Sequence, residues 1–145
     1  MRLFRFLDPT LSDQVSRRLC ALAVMTKAPQ AGRVKTRLVP PLTSEEAAEL
    51  NKCFLRDIAA AISHSCSVGL RPPTALPAQS QPGAHRTPLQ YAARGIAVYT
   101  PVGAESAYAN ILPDDFSLLL QRGDGFGERL YFATEDLFKC GFESV

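Results

Sequence analysis

The stretch that decides the fold is CALAVMTKAPQAGRVKTRL, at residues 20–38. Its first six residues form a short, continuous apolar run, which is typical of a strand covered on both faces in a parallel sheet. The part from Lys27 to Leu38 follows that strand as a loop. Because open α/β sheets bind ligands at the carboxyl ends of their strands, we expect this loop to carry function.

The loop combines one glycine with several cations. Gly32 allows the backbone to approach a ligand closely, and Thr36 adds a hydroxyl donor. Four cations place positive charge where a diphosphate or triphosphate could be held: Lys27, Arg33, Lys35 and Arg37. The pattern is neither the P-loop GxxxxGK[ST] nor the dinucleotide fingerprint GxGxxG. Chemistry alone therefore leaves two interpretations open, an anion-binding loop and a solvated basic turn.

A long amphipathic helix is predicted after the loop, over residues 43–64. Thr43 and Glu46 fit a capping box at its start, and the two prolines at 40–41 keep the preceding chain out of a helix. Apolar residues recur along it at helical spacing: Ala47, Leu50, Phe54, Ile58 and Ala61.

Strands and helices continue to alternate in the second half of the chain. Strands are expected at 95–100 and 116–120, with a helix at 104–112 between them that Pro113 ends. A last helix is expected over 127–140, with an apolar face made of Leu130, Ala133, Leu137 and Phe138. This alternation predicts an α/β sandwich with a mostly parallel sheet.

A second glycine-rich motif, GDGFGER, occupies residues 123–129 just before the last predicted helix. Its backbone N–H groups and the positive end of the helix dipole can face an anion. The plainer interpretation is a tight turn that caps the helix.

The predicted domain covers residues 19–145. Residues 1–18 show no clean period and contain Pro9, so we interpret them as a loose extension. Five of the eleven prolines and no acidic residue lie within 66–94, which predicts a flexible proline-rich insertion there. The chain stops where such a fold would enter its next strand. We therefore expect a sheet that is incomplete at the C-terminus, with an unpaired edge through which copies could associate.

Composition excludes several classes of protein. The net charge of +2 comes from scattered side chains, so nucleic acid is not an expected partner. The four cysteines have no C-x-x-C pair and no histidine in an arrangement that suggests zinc, so zinc is not predicted and free, reduced thiols are expected. No apolar run reaches the roughly twenty residues that a membrane span needs, and no signal peptide is evident. A cytoplasmic protein is the expectation.

The motifs carry a resemblance to a known family. The sequence resembles a bacterial family of GT-A-like transferases. The matching segments are residues 25–29, 32–38 and 40–43, Tyr99-Thr100-Pro101, and the run QRGDGFGERL at 121–130. Members of that family are often described as glycosyltransferases associated with arsenosugar biosynthesis or with radical-SAM selenodomain proteins. The resemblance covers residues 21–141 apart from the proline-rich middle.

The resemblance implies a three-layer, Rossmann-like α/β/α fold of the nucleotide-diphospho-sugar transferase type. It places Gly32, Lys35 and Arg37 at the phosphates of a nucleotide-sugar donor, whose sugar would pass to an unknown small acceptor. The second motif would add Gly125, Gly127, Glu128 and Arg129 to this site. A more distant similarity to nucleotidyltransferases leaves a nucleoside triphosphate as the alternative substrate.

The resemblance also implies a divalent cation, Mg²⁺ or Mn²⁺, which family members hold with an acidic Asp-Ser-Pro-like motif on the next strand. This sequence ends before such a motif, and Asp124 is a poor substitute. No metal ligand and no catalytic residue are predicted in the chain. A truncated, inactive domain and a non-catalytic interaction module therefore stay open as interpretations.

Overall fold

The computed structural model describes residues 4–11, 14–15, 19–68 and 92–145. Four parallel strands form one sheet in the order β1-β4-β3-β2. The strands are β1 (Arg5–Leu7), β2 (Leu19–Lys27), β3 (Ala92–Thr100) and β4 (Ser117–Leu120). The α-helices are α1 (Ser44–Val68) and α2 (Phe126–Lys139), and two short 3-10 helices cover Thr36–Leu38 and Glu105–Tyr108.

The sheet separates two hydrophobic cores. Side chains alternate along β3, so that Ala97 and Tyr99 face α1 whereas Ile96 and Val98 face α2. One core contains Leu55 and Ala59 of α1, and the other contains Ala133 and Leu137 of α2. The predicted three-layer α/β/α architecture with a parallel sheet is therefore confirmed.

The capping box at the start of α1 is confirmed. The Glu46 amide donates to Thr43 Oγ1 at 3.1 Å, and the Thr43 amide donates to Glu46 Oε2 at 2.8 Å. Two amides that have no partner inside the helix are satisfied in this way. The helix ends four residues later than the predicted His64, at Val68.

The predicted apolar face of α1 is correct at Ala47 and wrong farther along the helix, where the buried face is turned by about one residue position. The buried residues are Ala47, Ala48, Leu55 and Ala59, whereas Phe54 is 45% exposed and Ile58 is 48% exposed. Two adjacent rows of side chains along this helix are apolar. The row of Ala48, Leu55 and Ala59 lies against the sheet, because its small alanines permit close approach. The Phe54 row is left facing outward.

The apolar face of α2 is predicted correctly in part. Ala133 and Leu137 are buried, but Leu130 and Phe138 are each 48% exposed. The third buried position of α2 is polar, because Asp136 is only 2% exposed. The helix begins at Phe126 and ends at Lys139, one residue earlier than predicted at each end.

The helix predicted over 104–112 is not an α-helix. Only Glu105–Tyr108 form a 3-10 helix, and the amides of both Ile111 and Leu112 donate to the Tyr108 carbonyl in the turns that follow. Gly103, whose φ is +82°, precedes this segment, and Pro113 disfavours helical geometry at Leu112, so both ends of the segment depart from a regular helix.

The two segments interpreted as irregular are partly ordered. Arg5–Leu7 pair with Ser117–Leu119 of β4 as an edge strand, and Leu7 is buried, so residues 5–7 are not a loose extension. Three residues are too few to show a period in the sequence. The proline-rich insertion predicted at 66–94 is also shorter, because α1 includes residues 66–68 and β3 begins at Ala92. Its middle, 69–91, lies outside the described residues.

The sheet has two edge strands, β1 and β2, and β2 is the longer of them. Ser144 makes one parallel bridge to Cys20, and the Ala21 amide donates to the Ser144 carbonyl at 2.8 Å. From Leu22 to Lys27, the described part of the chain provides no partner strand on this side. None of the described helices is both long and apolar enough to cross a membrane.

Candidate functional site

Two loops leave the carboxyl edge of the sheet on either side of β3. The Ala28 amide, directly after β2, donates to the Thr100 carbonyl at 2.8 Å, and the Gln121 amide, directly after β4, donates to the Tyr99 carbonyl at 2.8 Å. The loop at 28–35 and the turn at 121–125 therefore begin from neighbouring positions on β3. This is the edge at which open parallel sheets bind ligands.

The loop after β2 is anchored at two points and open between them. Ala28 and Val34 are buried, whereas Gly32 is exposed and has φ +72°, a value that favours glycine. The Arg33 amide donates to the Gln30 carbonyl at 3.0 Å, which closes a turn between the anchors. The loop is therefore positioned by its ends while its polar side chains remain available.

The predicted cations are exposed and carry no opposite charge beside them. Within the described residues, none of the four forms an ion pair: Lys27, Arg33, Lys35 and Arg37. Their charges are thus free to interact with an anion from solution, which fits the prediction of an anion-binding loop.

The structure brings three of the predicted residues together against α1. Lys35, Thr36 and Arg37 line a groove of about 670 Å³ whose other walls are Leu38, Leu50 and Phe54. Lys35 has φ +50°, and its Nζ lies 5.3 Å from the centre of the Phe54 ring. Lys27 and Arg33 do not line this groove. We call the groove formed by the six lining residues, Lys35 to Leu38 with Leu50 and Phe54, the α1 groove.

The turn after β4 is held from within by two predicted site residues. Glu128 Oε2 accepts a hydrogen bond from the Asp124 amide at 3.0 Å, and Arg129 Nε donates to the Gly123 carbonyl at 3.0 Å. Gly123 has φ +101°, and a Cβ there would lie 3.1 Å from Glu128 Cβ. The side chains of Glu128 and Arg129 are therefore engaged with the turn itself.

Gly125 and Gly127 expose backbone at this turn, beside the exposed side chains of Asp124 and Phe126. Gly125 is the N-cap of α2 and no side chain caps the helix there, so the first amides of the helix have no partner inside it. A Cβ at Gly125 or Gly127 would meet no heavy atom within 4 Å. Of the four predicted residues in this motif, these two glycines are the ones that present an open approach.

Sequence reasoning missed Arg122, which ties the turn to α2. Its Nε and one terminal nitrogen each lie 2.7 Å from the carboxylate oxygens of buried Asp136, and its guanidinium lies 4.0 Å from the centre of the Phe132 ring. The same guanidinium contacts Glu135. Lys139 and, to a smaller extent, Arg122 lower the pKa of Glu135. A spacing of fourteen residues between partners gives no signal in the sequence.

A second polar cluster lies beyond the end of β3. The Tyr99 hydroxyl and the Gly103 amide both donate to Glu105 Oε1, and the bond from Tyr99 lowers the pKa of the Glu105 carboxyl. Burial raises the pKa of Tyr108 to about 12. The nearby Thr26 hydroxyl lowers the pKa of Tyr108 in part. It does not form a hydrogen bond with the Tyr108 hydroxyl, which has no hydrogen-bond partner among the described residues.

The described residues show no cluster of metal ligands, and burial lowers the reactivity of two of the thiols. No group of three or more His, Cys, Asp or Glu side chains converges among them. Burial raises the pKa values of the Cys66 and Cys140 thiols, which favours the unreactive protonated form. All four cysteines are free.

No protein-family model matches the sequence, and no curated protein matches it. The structure is similar to the crystal structure of a protein from Desulfovibrio desulfuricans G20 that is proposed to be a nucleotide-diphospho-sugar transferase, with a TM-score of 0.59 and 22% sequence identity. The similarity covers 88% of this chain and 44% of that protein, so the chain spans less than half of its length. The chain has the α/β fold of a nucleotide-diphospho-sugar transferase, with a Rossmann-like parallel sheet.

Proposed function

We propose that this chain binds a nucleotide-diphospho-sugar and forms the donor-binding part of a glycosyltransferase. The observation that carries the proposal is the set of exposed, unpaired cations on the loop after β2, at the carboxyl edge of a parallel sheet. The sequence motifs further suggest the arsenosugar or radical-SAM selenodomain group of such enzymes. The free cysteines suit a reducing compartment, so we propose the cytoplasm as its location.

The cations suit the charge that the proposed reaction develops. When an acceptor oxygen attacks the anomeric carbon, the bond from that carbon to the diphosphate breaks and the leaving nucleoside diphosphate gains negative charge. Fixed positive groups at that place stabilise the transition state. Lys35 and Arg37 are suited to this role, together with the backbone amides after Gly125. No described residue is assigned as the base that takes the acceptor proton.

We propose Mg²⁺ or Mn²⁺ as the cofactor of such an enzyme, but the described residues do not fit a site for it, because no cluster of ligands is present among them. The ligands would have to come from outside the described residues.

The proposal is tested by calorimetry with a panel of UDP- and GDP-sugars. We expect binding of at least one of them, and Lys35→Ala and Arg37→Ala should each raise its Kd about tenfold, because each removes a charge-assisted contact to phosphate. Arg56→Ala is the matched control, since it removes one exposed cation from α1 outside the groove. If no nucleotide-sugar binds, or if all three variants bind as the parent does, the donor-binding role is wrong.

Self-association is proposed through the open edge of β2. Ala23 is exposed there, and its backbone polar groups can pair with a strand of a second copy. We expect sedimentation analysis to show a concentration-dependent dimer that Ala23→Lys shifts to monomer, because a charge on an edge strand opposes pairing. Ala31→Lys, in the exposed loop, gives the same change of charge away from the edge and should dimerise as the parent does. Equal effects of both substitutions would contradict pairing at this edge.

A further inference from the structure

The α1 groove combines two kinds of surface that one ligand could use at the same time. One side presents the charges of Lys35 and Arg37 with the Thr36 hydroxyl, and the other presents the apolar side chains of Leu38, Leu50 and Phe54. We propose that the groove binds an aromatic phosphate, with its ring against Phe54 and its phosphate at Lys35 and Arg37. The proposal rests on the proposed function in one respect: it takes the aromatic ring to be the base of the nucleotide-sugar donor.

The apolar side of the groove is open in a way that the fold does not require. Phe54 is 45% exposed and Leu38 is 37% exposed, although the adjacent row of α1 is buried, with Ala59 at 0%. Aromatic rings with an exposed face are good platforms for a second ring. A flat base can therefore lie on Phe54 without any change in the packing of α1 against the sheet.

The charged side of the groove lies next to that ring. Lys35 Nζ is 5.3 Å from the Phe54 ring centre, at the range of a cation–π contact. Arg37 lines the same groove, and no described acid pairs with either cation. Positive charge that pairs with no acid among the described residues is complementary to a phosphate group, and here it is held beside an aromatic surface.

The two surfaces predict a definite order of affinities. A sugar phosphate without a base reaches only the cations, and a nucleoside without phosphate reaches only the apolar side. A nucleotide uses both and should bind most tightly. Stacking on an exposed aromatic side chain corresponds to about a tenfold gain in affinity.

The experiment measures the Kd values of uridine 5′-monophosphate, ribose 5-phosphate and uridine by calorimetry on the whole chain. We expect the nucleotide to bind about tenfold more tightly than ribose 5-phosphate. Phe54→Ala should abolish that difference and leave ribose 5-phosphate unchanged, whereas Arg37→Ala should weaken both phosphates. Phe138→Ala is the matched control, because Phe138 is exposed to a similar extent on α2, outside the groove.

Several outcomes decide the matter. Equal binding of the nucleotide and ribose 5-phosphate by the parent chain, or equal effects of Phe54→Ala and Phe138→Ala, would overturn the inference. If a nucleotide-sugar binds and Phe54→Ala leaves its Kd unchanged, the groove is not the base site although the proposed function holds. If the mononucleotide binds in a Phe54-dependent manner while every nucleotide-sugar fails to bind, the proposed function is wrong and the aromatic phosphate site stands.

Discussion

Gly95→Ala is expected to destabilise the domain by about 3 kcal/mol, because among the glycines tested in the described part of the chain this one gives an added Cβ the closest contact. A Cβ at Gly95 would lie 2.5 Å from one ring carbon of Phe116 and 2.8 Å from two others. Phe116 is 2% exposed and belongs to the core on the α1 side of the sheet, so the added methyl group has to displace a packed ring. Urea denaturation followed by circular dichroism measures the free energy of unfolding.

Two further variants separate this clash from a general effect of alanine. Gly127→Ala adds the same methyl group where no heavy atom lies within 4 Å, inside α2, and should stabilise by about 0.5–1 kcal/mol because alanine favours the helix. In a Phe116→Leu background, Gly95→Ala should cost less than it does in the parent, since the two positions are in contact. An undiminished loss in that background would contradict the proposed clash.

Asp136→Ala is expected to lower the free energy of unfolding by about 2 kcal/mol, because it removes the buried acceptor of two charged hydrogen bonds. The loss should stay below that of a fully buried ion pair, since the Arg122 side chain is 42% exposed and can be hydrated when its partner is gone. Denaturant unfolding at neutral pH checks the value. Amide exchange at 123–125 should also increase, because Arg122 connects the turn to α2.

Glu135→Gln provides the matched control for Asp136→Ala. Glu135 is the neighbouring residue, contacts the same guanidinium and is 37% exposed. Exposed ion pairs contribute little to stability, so this variant should unfold almost as the parent does. A larger loss for Glu135→Gln than for Asp136→Ala would show that burial does not determine the strength of this cluster.

The main strands and helices could be predicted because each has a local signal. The apolar run at 20–25 and the capping box of Thr43 and Glu46 specify β2 and the start of α1 without reference to the rest of the chain. The face that α1 buries has no such signal, since two neighbouring rows are apolar and the sheet selects between them. The three residues of β1 are likewise ordered by β4 and not by their own sequence.

The same distinction holds for the candidate site. The cations of the loop could be predicted from charge and from position after a buried strand. Phe54 could not, because helical periodicity placed it in the core, and its role in the α1 groove follows from its exposure. Glu128 had a signal that sequence reasoning did not use, since a glutamate at the third helical position commonly reaches back to an amide before the helix, as it does to Asp124 here.

The hydrogen bonds of Ala28 and Gln121 to β3 fix the distance between the starting points of the two loops. The two loops leave from β2 and β4, which flank β3, and neighbouring strands are about 4.8 Å apart, so the loops begin about 10 Å from one another. A single phosphate held at the start of one loop does not reach the start of the other. A molecule that contacts both starting points has to span that separation, so the spacing of the strands sets a minimum length for a ligand held at both.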